Sequence, residues 1–309
     1  MQNSQAMQSQ QHDGEPTRDS DSQPPDGLSA SAFDFVCKLA AELSTGRVEL
    51  PSFPRVAIQV HRVLGRPDVT DDRVARVIAC EAGLAARVLA LANSAALSRG
   101  GRPILDLRQA VTRVGHQNTR SAAIAYSLGQ LRMARQLRHI VDQLSSFWQH
   151  STMVAALAHV VATHTRAADA DEAMLAGLMH NIGGVYILAR AEPGSLLFSD
   201  VATRDAIMRD WNAQIGRAIA ENWGMSEAIA EAIAEQDVTM RPVSGRRDLL
   251  DVLSVAVRAA CLRPGSDDAV LIVAGANTFG RLGIDGPAIE QLLAESSAEI
   301  TDLRSALGQ

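Results

Sequence analysis

The chain has 309 residues, of which 47% are hydrophobic and only 4% aromatic, and a formal charge of −6. That length allows a sizeable core in one or two domains. The alanine-rich, aromatic-poor composition argues against a β-sandwich, and the negative balance excludes a protein that coats nucleic acid with its whole surface. Cys37, Cys80 and Cys261 lie far apart without CxxC spacing and read as reduced thiols. No basic-then-apolar leader opens the chain, and its longest apolar run, Ala269 to Ala276, falls far short of the roughly 20 residues that span a membrane. A cytoplasmic protein without a membrane partner is expected.

Residues 1–28 are rich in Gln, Ser, Asp and Pro and nearly empty of Leu, Ile, Val and Phe, which predicts a disordered tail. Helical periodicity starts at Ala30, with Phe33, Val36, Leu39, Ala40 and Leu43 on one face and Gly46 as the stop. Leu50-Pro51-Ser52-Phe53-Pro54 then reads as a fixed turn into a helix carrying Val56, Val60, Val63 and Leu64. Thr70-Asp71-Asp72 is a start signal, because a hydroxyl cap and two carboxylates suit the positive end of a helix. Its apolar side is Val74, Val77 and Ile78, and a further helix follows Glu81-Ala82-Gly83. The next pattern, from Ile104 to Val114, ends at Gly115, and another runs over residues 117–130.

A long helix from Leu144 to about Thr163 precedes the stretch on which the site depends, Asp171 to Gly184. There Leu175, Leu178, Met179 and Ile182 form an apolar stripe, His180 and Asn181 sit at the tip, and Gly183-Gly184 is expected to end the helix in a left-handed turn. Helices are predicted from Trp211 to Trp223, Ser226 to Glu235, Leu249 to Leu262, Ala269 to Leu282 and Pro287 to Leu307. No alternating strand pattern appears, so the fold class is all-α. The expected divisions are a tail (1–28), an N-terminal helical subdomain (29–143), a second helical bundle (144–245) and a C-terminal helical extension (246–309).

Five phrases come in an order that resembles the HDOD family. They are Leu50-Pro51-Ser52-Phe53-Pro54, Leu91-Ala92-Asn93-Ser94-Ala95, Phe147-Trp148-Gln149-His150-Ser151, Leu175 to Gly183, and Trp223-Gly224-Met225-Ser226-Glu227. The resemblance covers roughly Val48 to Asp237. It implies an N-terminal bundle packed on a degenerate relative of the HD and HD-GYP phosphohydrolase bundle, in a non-catalytic bacterial signalling module.

A metal phosphohydrolase of that kind needs clustered imidazoles and carboxylates, because hard divalent ions take oxygen and nitrogen ligands together. By the resemblance, His150 and His180 stand at the first two histidine positions. Asn181 replaces the following aspartate, Asn212 stands where histidine is common, and Gln236-Asp237 stands where a His-His pair often lies. Asn181 keeps an acceptor oxygen but lacks the charge that neutralises a dication. Neutral amides are poor ligands beside imidazole. The set reads as a vestigial ligand constellation, with no catalytic residue, metal or cofactor assigned, and the tip of the helix is expected to tie helices together.

From Arg99 to His139 eight arginines face one acid, Asp106. They either pair with acidic helices bearing Glu221, Glu227, Glu231 and Glu235 or form an anion-facing surface. Arg102, Arg108, Arg113, Arg120, Arg132 and Arg135 are the candidate partner-binding residues, with charge reversal at Arg113 and Arg120 expected to spare the fold. Val74 to Leu91 has helix-turn-helix outline, but its second helix is too apolar for a major groove. The expectation is a non-enzymatic module that binds a signalling protein; the resemblance associates it with the cyclic-dinucleotide network. The alternatives are a weak metal-dependent phosphodiesterase, and a nucleotide- or DNA-binding regulator acting through the basic stretch.

Overall fold

The computed structural model describes residues 30–46, 55–98, 102–191, 200–238, 240–242, 244–262 and 272–308. The predicted tail, the Leu50–Pro54 phrase, Arg99 and the start of the pattern at Ala269 lie outside the described residues. Among the described residues every regular element is helical, in agreement with the all-α expectation.

The first half comprises α1 (Ala30–Ser44), α2 (Arg55–Leu64), α3 (Asp71–Ala79), α4 (Ala82–Ala92), α5 (Ala95–Ser98) and α6 (Leu107–Leu131). Thr70 caps α3 as the sequence predicts, its side chain accepting the Arg73 N–H at 3.3 Å. Helix α4 lies in the groove of α6, with Leu84, Val88 and Leu91 buried. The Asn93 amide holds the Ile104 backbone from both sides, donating to its carbonyl at 2.9 Å and accepting its N–H at 2.8 Å. Gly115 breaks α6 where the sequence places the boundary; its φ of 79° and ψ of 166° are open only to glycine.

A 3-10 turn, Arg135–Ile140, leads into α7 (Val141–Thr165), α8 (Ala170–Met179), α9 (Ile182–Arg190), α10 (Val201–Asn222) and α11 (Glu227–Glu235). Helix α8 is the hub. It packs most extensively on α7 and also touches α6 and α11. Burial extends from Ala173 to Met179 without a break, so the predicted stripe widens to the whole circumference. Close approach to α7 depends on Gly177, where a Cβ would lie 2.7 Å from the Ala155 Cα.

Three expectations are corrected. Gly183-Gly184 does not end α8 in a left-handed turn; both glycines have ordinary helical φ and belong to the first turn of α9. Their lack of a side chain serves packing instead, since a Cβ on Gly183 would be 2.1 Å from the Asn212 carbonyl oxygen, and one on Gly184 2.5 Å from the Phe147 ring. Helix α10 begins ten residues before Trp211, capped by Asp200, whose side chain accepts the Ala202 N–H at 3.0 Å. The last two patterns are also interrupted. After α12 (Leu249–Ala259) the chain forms α13 (Thr278–Leu282), α14 (Gly286–Glu295) and α15 (Ser297–Ala306). Asn277 is the N-cap of α13, its carbonyl accepting the Arg281 N–H at 3.0 Å, and Ser296, at φ −95° and ψ 8°, redirects α15 onto α7, α4 and α5.

Candidate functional site

The tip of α8 brings together most of the residues in the vestigial ligand constellation. His180 is 1% exposed, and its Nδ1 lies 2.6 Å from the Gly177 carbonyl oxygen. A carbonyl only accepts, so Nδ1 carries the proton and Nε2 presents a lone pair. That Nε2 is buried without a hydrogen-bond partner. The His150 ring from α7 stands edge-on to it, 5.2 Å between centroids. Burial foremost, then the neighbouring His150, push the His180 pKa down to about 3, and burial also lowers that of His150. Both imidazoles are therefore neutral at pH 7.

The three amides are turned onto the backbone and each other. Gln236 is buried and donates to the His180 carbonyl at 2.8 Å and the Ile233 carbonyl at 3.0 Å. Asn212 donates to the same His180 carbonyl at 3.4 Å and to Asn181 Oδ1 at 3.3 Å, while its own oxygen accepts the Gly184 N–H at 2.7 Å. Asp237 is exposed. Two imidazoles remain as donors without a buried carboxylate beside them. Among the described residues no group of three or more His, Cys, Asp or Glu is arranged to hold a metal. The donor chemistry does not fit the binuclear centre of an HD phosphohydrolase, which requires anionic bridging ligands.

The basic stretch divides in two. Arg102, Arg108 and Arg135 are exposed. Arg113, Arg120 and Arg132 are half-buried parts of the fold. Arg113 donates to the Ala92 carbonyl at 3.5 Å, Arg120 has a buried Nε and a pKa lowered by burial, and Arg132 lies over the Trp148 ring at 5.8 Å. Charge reversal at Arg113 and Arg120 would therefore disturb packing, contrary to the expectation from sequence. None of the six lies within 4 Å of a carboxylate among the described residues; Glu221 and Glu227 pair with Arg217.

Two polar clusters escape the sequence reading. Asp251 is fully buried between Arg241, at 2.6 Å, and Arg281, whose Nε and Nη2 contact its two oxygens at 2.8 and 2.9 Å. Asp248 completes a capping box with Asp251 and a second pair with Arg241 at 2.7 Å. A lone carboxylate inside the apolar run Leu249-Leu250-Asp251-Val252-Leu253 was the available signal, because a buried charge requires a partner. His159 is likewise buried, with Asp171 of α8 3.9 Å from Nε2 and Glu299 of α15 3.6 Å from Nδ1. Its spacing from other histidines gave no hint of this junction.

The described residues thus form an all-helical bundle in which the amides of Asn181, Asn212 and Gln236 meet at the tip of α8. The HDOD domain model matches residues 50–238, and the chain belongs to that family. A Treponema pallidum (strain Nichols) protein of uncharacterized function is 29% identical over 208 residues, covering 63% of this chain and 39% of the relative. The match thus spans well under half of that relative's length. Among solved structures, a candidate metal-dependent phosphohydrolase from Shewanella amazonensis is similar with a TM-score of 0.73 and 24% identity, over 90% of this chain and all of the other. An HDOD domain protein of unknown function from Geobacter sulfurreducens gives 0.60 and 24%, over 88% and 97%. A candidate signal transduction protein from Marinobacter aquaeolei gives 0.54 and 19%, over 90% and 67%. At these identities the likeness concerns the fold.

Proposed function

We propose that this chain is a non-enzymatic signalling module of the HDOD type that works by docking a partner protein. The observation that carries this reading is the convergence of Asn212 and Gln236 on the His180 carbonyl. Side chains standing at ligand positions spend their donors on joining α8, α10 and α11, so the site is organised as a knot between helices. The exposed Arg102 and Arg108 at the start of α6 and Arg135 beyond its far end offer cations to an acidic partner, and the signal-transduction name of the Marinobacter aquaeolei neighbour is consistent with that role.

The test has two arms. Purified protein assayed for iron, manganese and zinc should hold well below one equivalent and turn over neither cyclic dinucleotides nor an activated phosphodiester. Close to one equivalent together with turnover would overturn the reading. In the second arm, Arg102→Glu/Arg108→Glu/Arg135→Glu should lose a partner that the parent chain captures, with an unchanged helical circular-dichroism spectrum. The free lone pair of His180 Nε2 beside His150 favours a second reading, weak binding of a single borderline ion. Zinc titration would then give a site lost in both His150→Ala and His180→Ala.

A further inference from the structure

Helices α2 and α3 lie side by side and leave a groove of about 460 Å³ between them. It is lined by Gln59, Arg62 and Val63 from α2, by Arg73, Arg76 and Val77 from α3, and by Cys80 at the C-cap of α3. The spacings are i, i+3, i+4 on one wall and i, i+3, i+4, i+7 on the other, so each helix contributes one continuous ridge. Val63 and Val77 are half-buried and pack on the core, forming an aliphatic floor. Of the lining arginines, Arg62 and Arg76 are exposed and Arg73 is half-buried.

Charge and shape together select the occupant. Arg76 contacts Asp72 at 2.8 Å and Arg73 contacts Asp68 at 3.4 Å, both as solvent-exposed pairs that exchange readily for a better carboxylate partner. Arg62 has no carboxylate within 4 Å among the described residues. A guanidinium fork matches a carboxylate in two-point contact. The aliphatic floor has no ring on which a base could stack, which disfavours single-stranded nucleic acid. Helices of 10 and 9 residues make walls of roughly 14 Å, the length of a helix of about nine or ten residues at 1.5 Å each. We infer that the α2–α3 groove is a docking site for an acidic amphipathic helix of a partner protein, with aliphatic side chains on Val63 and Val77 and carboxylates at Arg62, Arg73 and Arg76. This inference rests on the partner-docking reading and places one contact on a different surface from Arg102, Arg108 and Arg135.

A fluorescein-labelled 12-residue helical peptide, with leucines at i, i+3 and i+7 and glutamates flanking them, provides the probe. Anisotropy should show saturable binding to the full chain, weakened at least tenfold in Arg62→Glu/Arg76→Glu and unchanged in Arg102→Glu/Arg108→Glu/Arg135→Glu. In a Cys37→Ser/Cys261→Ser background, the peptide should slow maleimide labelling of Cys80 at least fivefold. No binding, or equal binding to the Arg62→Glu/Arg76→Glu variant, would overturn the site. So would equal affinity for a peptide with serines in place of leucines, or full displacement by an oligonucleotide of the same charge. Loss of peptide binding only in the Arg102/Arg108/Arg135 triple variant would refute the groove while leaving partner docking intact. Failure of the triple variant to lose any captured partner tests the docking reading separately.

Discussion

At the residue scale, His180 is the position where burial and chemistry conflict most. Its folded pKa of about 3 lies below the usual value of 6.5, so the unfolded chain binds the proton more tightly. Stability from this group is fully present above pH 6.5 and declines as pH falls toward 3, by about 1.4 kcal/mol per pH unit for one proton. Urea unfolding of the parent chain and of His180→Gln between pH 7 and 4.5 should show a shallower loss in the variant; equal slopes would place the titration elsewhere. Gln236 tests the knot directly. Gln236→Leu keeps the bulk but removes the donor from two buried carbonyls, and should cost about 1–3 kcal/mol in denaturant unfolding. A Gln236→Glu variant would instead bring a carboxylate against those carbonyls and should be worse still.

At the scale of elements, what was legible in the sequence was chemistry complete within one turn. Thr70 announces α3 because cap and capped N–H are three residues apart, and Gly115 announces the break in α6 because only glycine adopts its φ. Gly183 misleads for the opposite reason: the group that forbids a side chain there is the Asn212 carbonyl, 29 residues on and on another helix. The break at Ser296 carries no glycine or proline at all. Of the candidate site, the residue identities at the tip of α8 were readable, but not that Gln236 and Asn212 share one carbonyl, nor which arginines reach solvent. Alanine substitution separates the glycines. Gly183→Ala meets backbone and should prevent accumulation of folded protein, whereas Gly280→Ala in α13 has no atom within 4 Å and should leave stability unchanged or raise it by up to about 1 kcal/mol. Comparable melting temperatures for the two variants would contradict this packing.

At the scale of the molecule, charged and helical ties join segments distant in sequence. Arg241, Asp248, Asp251 and Arg281 fasten the strip before α12 and the short α13 to the same helix. Asp251→Ala strands the buried Arg281, while Arg241 keeps Asp248, and should lower unfolding stability by about 3–5 kcal/mol; a loss below about 1 kcal/mol would show that water reaches the site. Helix α1 is bound to the second half, where Glu42 meets Arg190 at 3.3 Å and accepts from the Tyr186 hydroxyl. Helix α15 returns to the first, with Asp302 accepting the Ala95 N–H at 3.4 Å across 207 residues. This return sets a schedule for synthesis. Helices α4 and α5 emerge early but keep one flank uncovered until α15 arrives, a wait on the order of 10–40 s at ribosomal speed. During that interval the flank of α4 and α5 that α15 covers stays open to chaperones, and its packing must follow the emergence of α15.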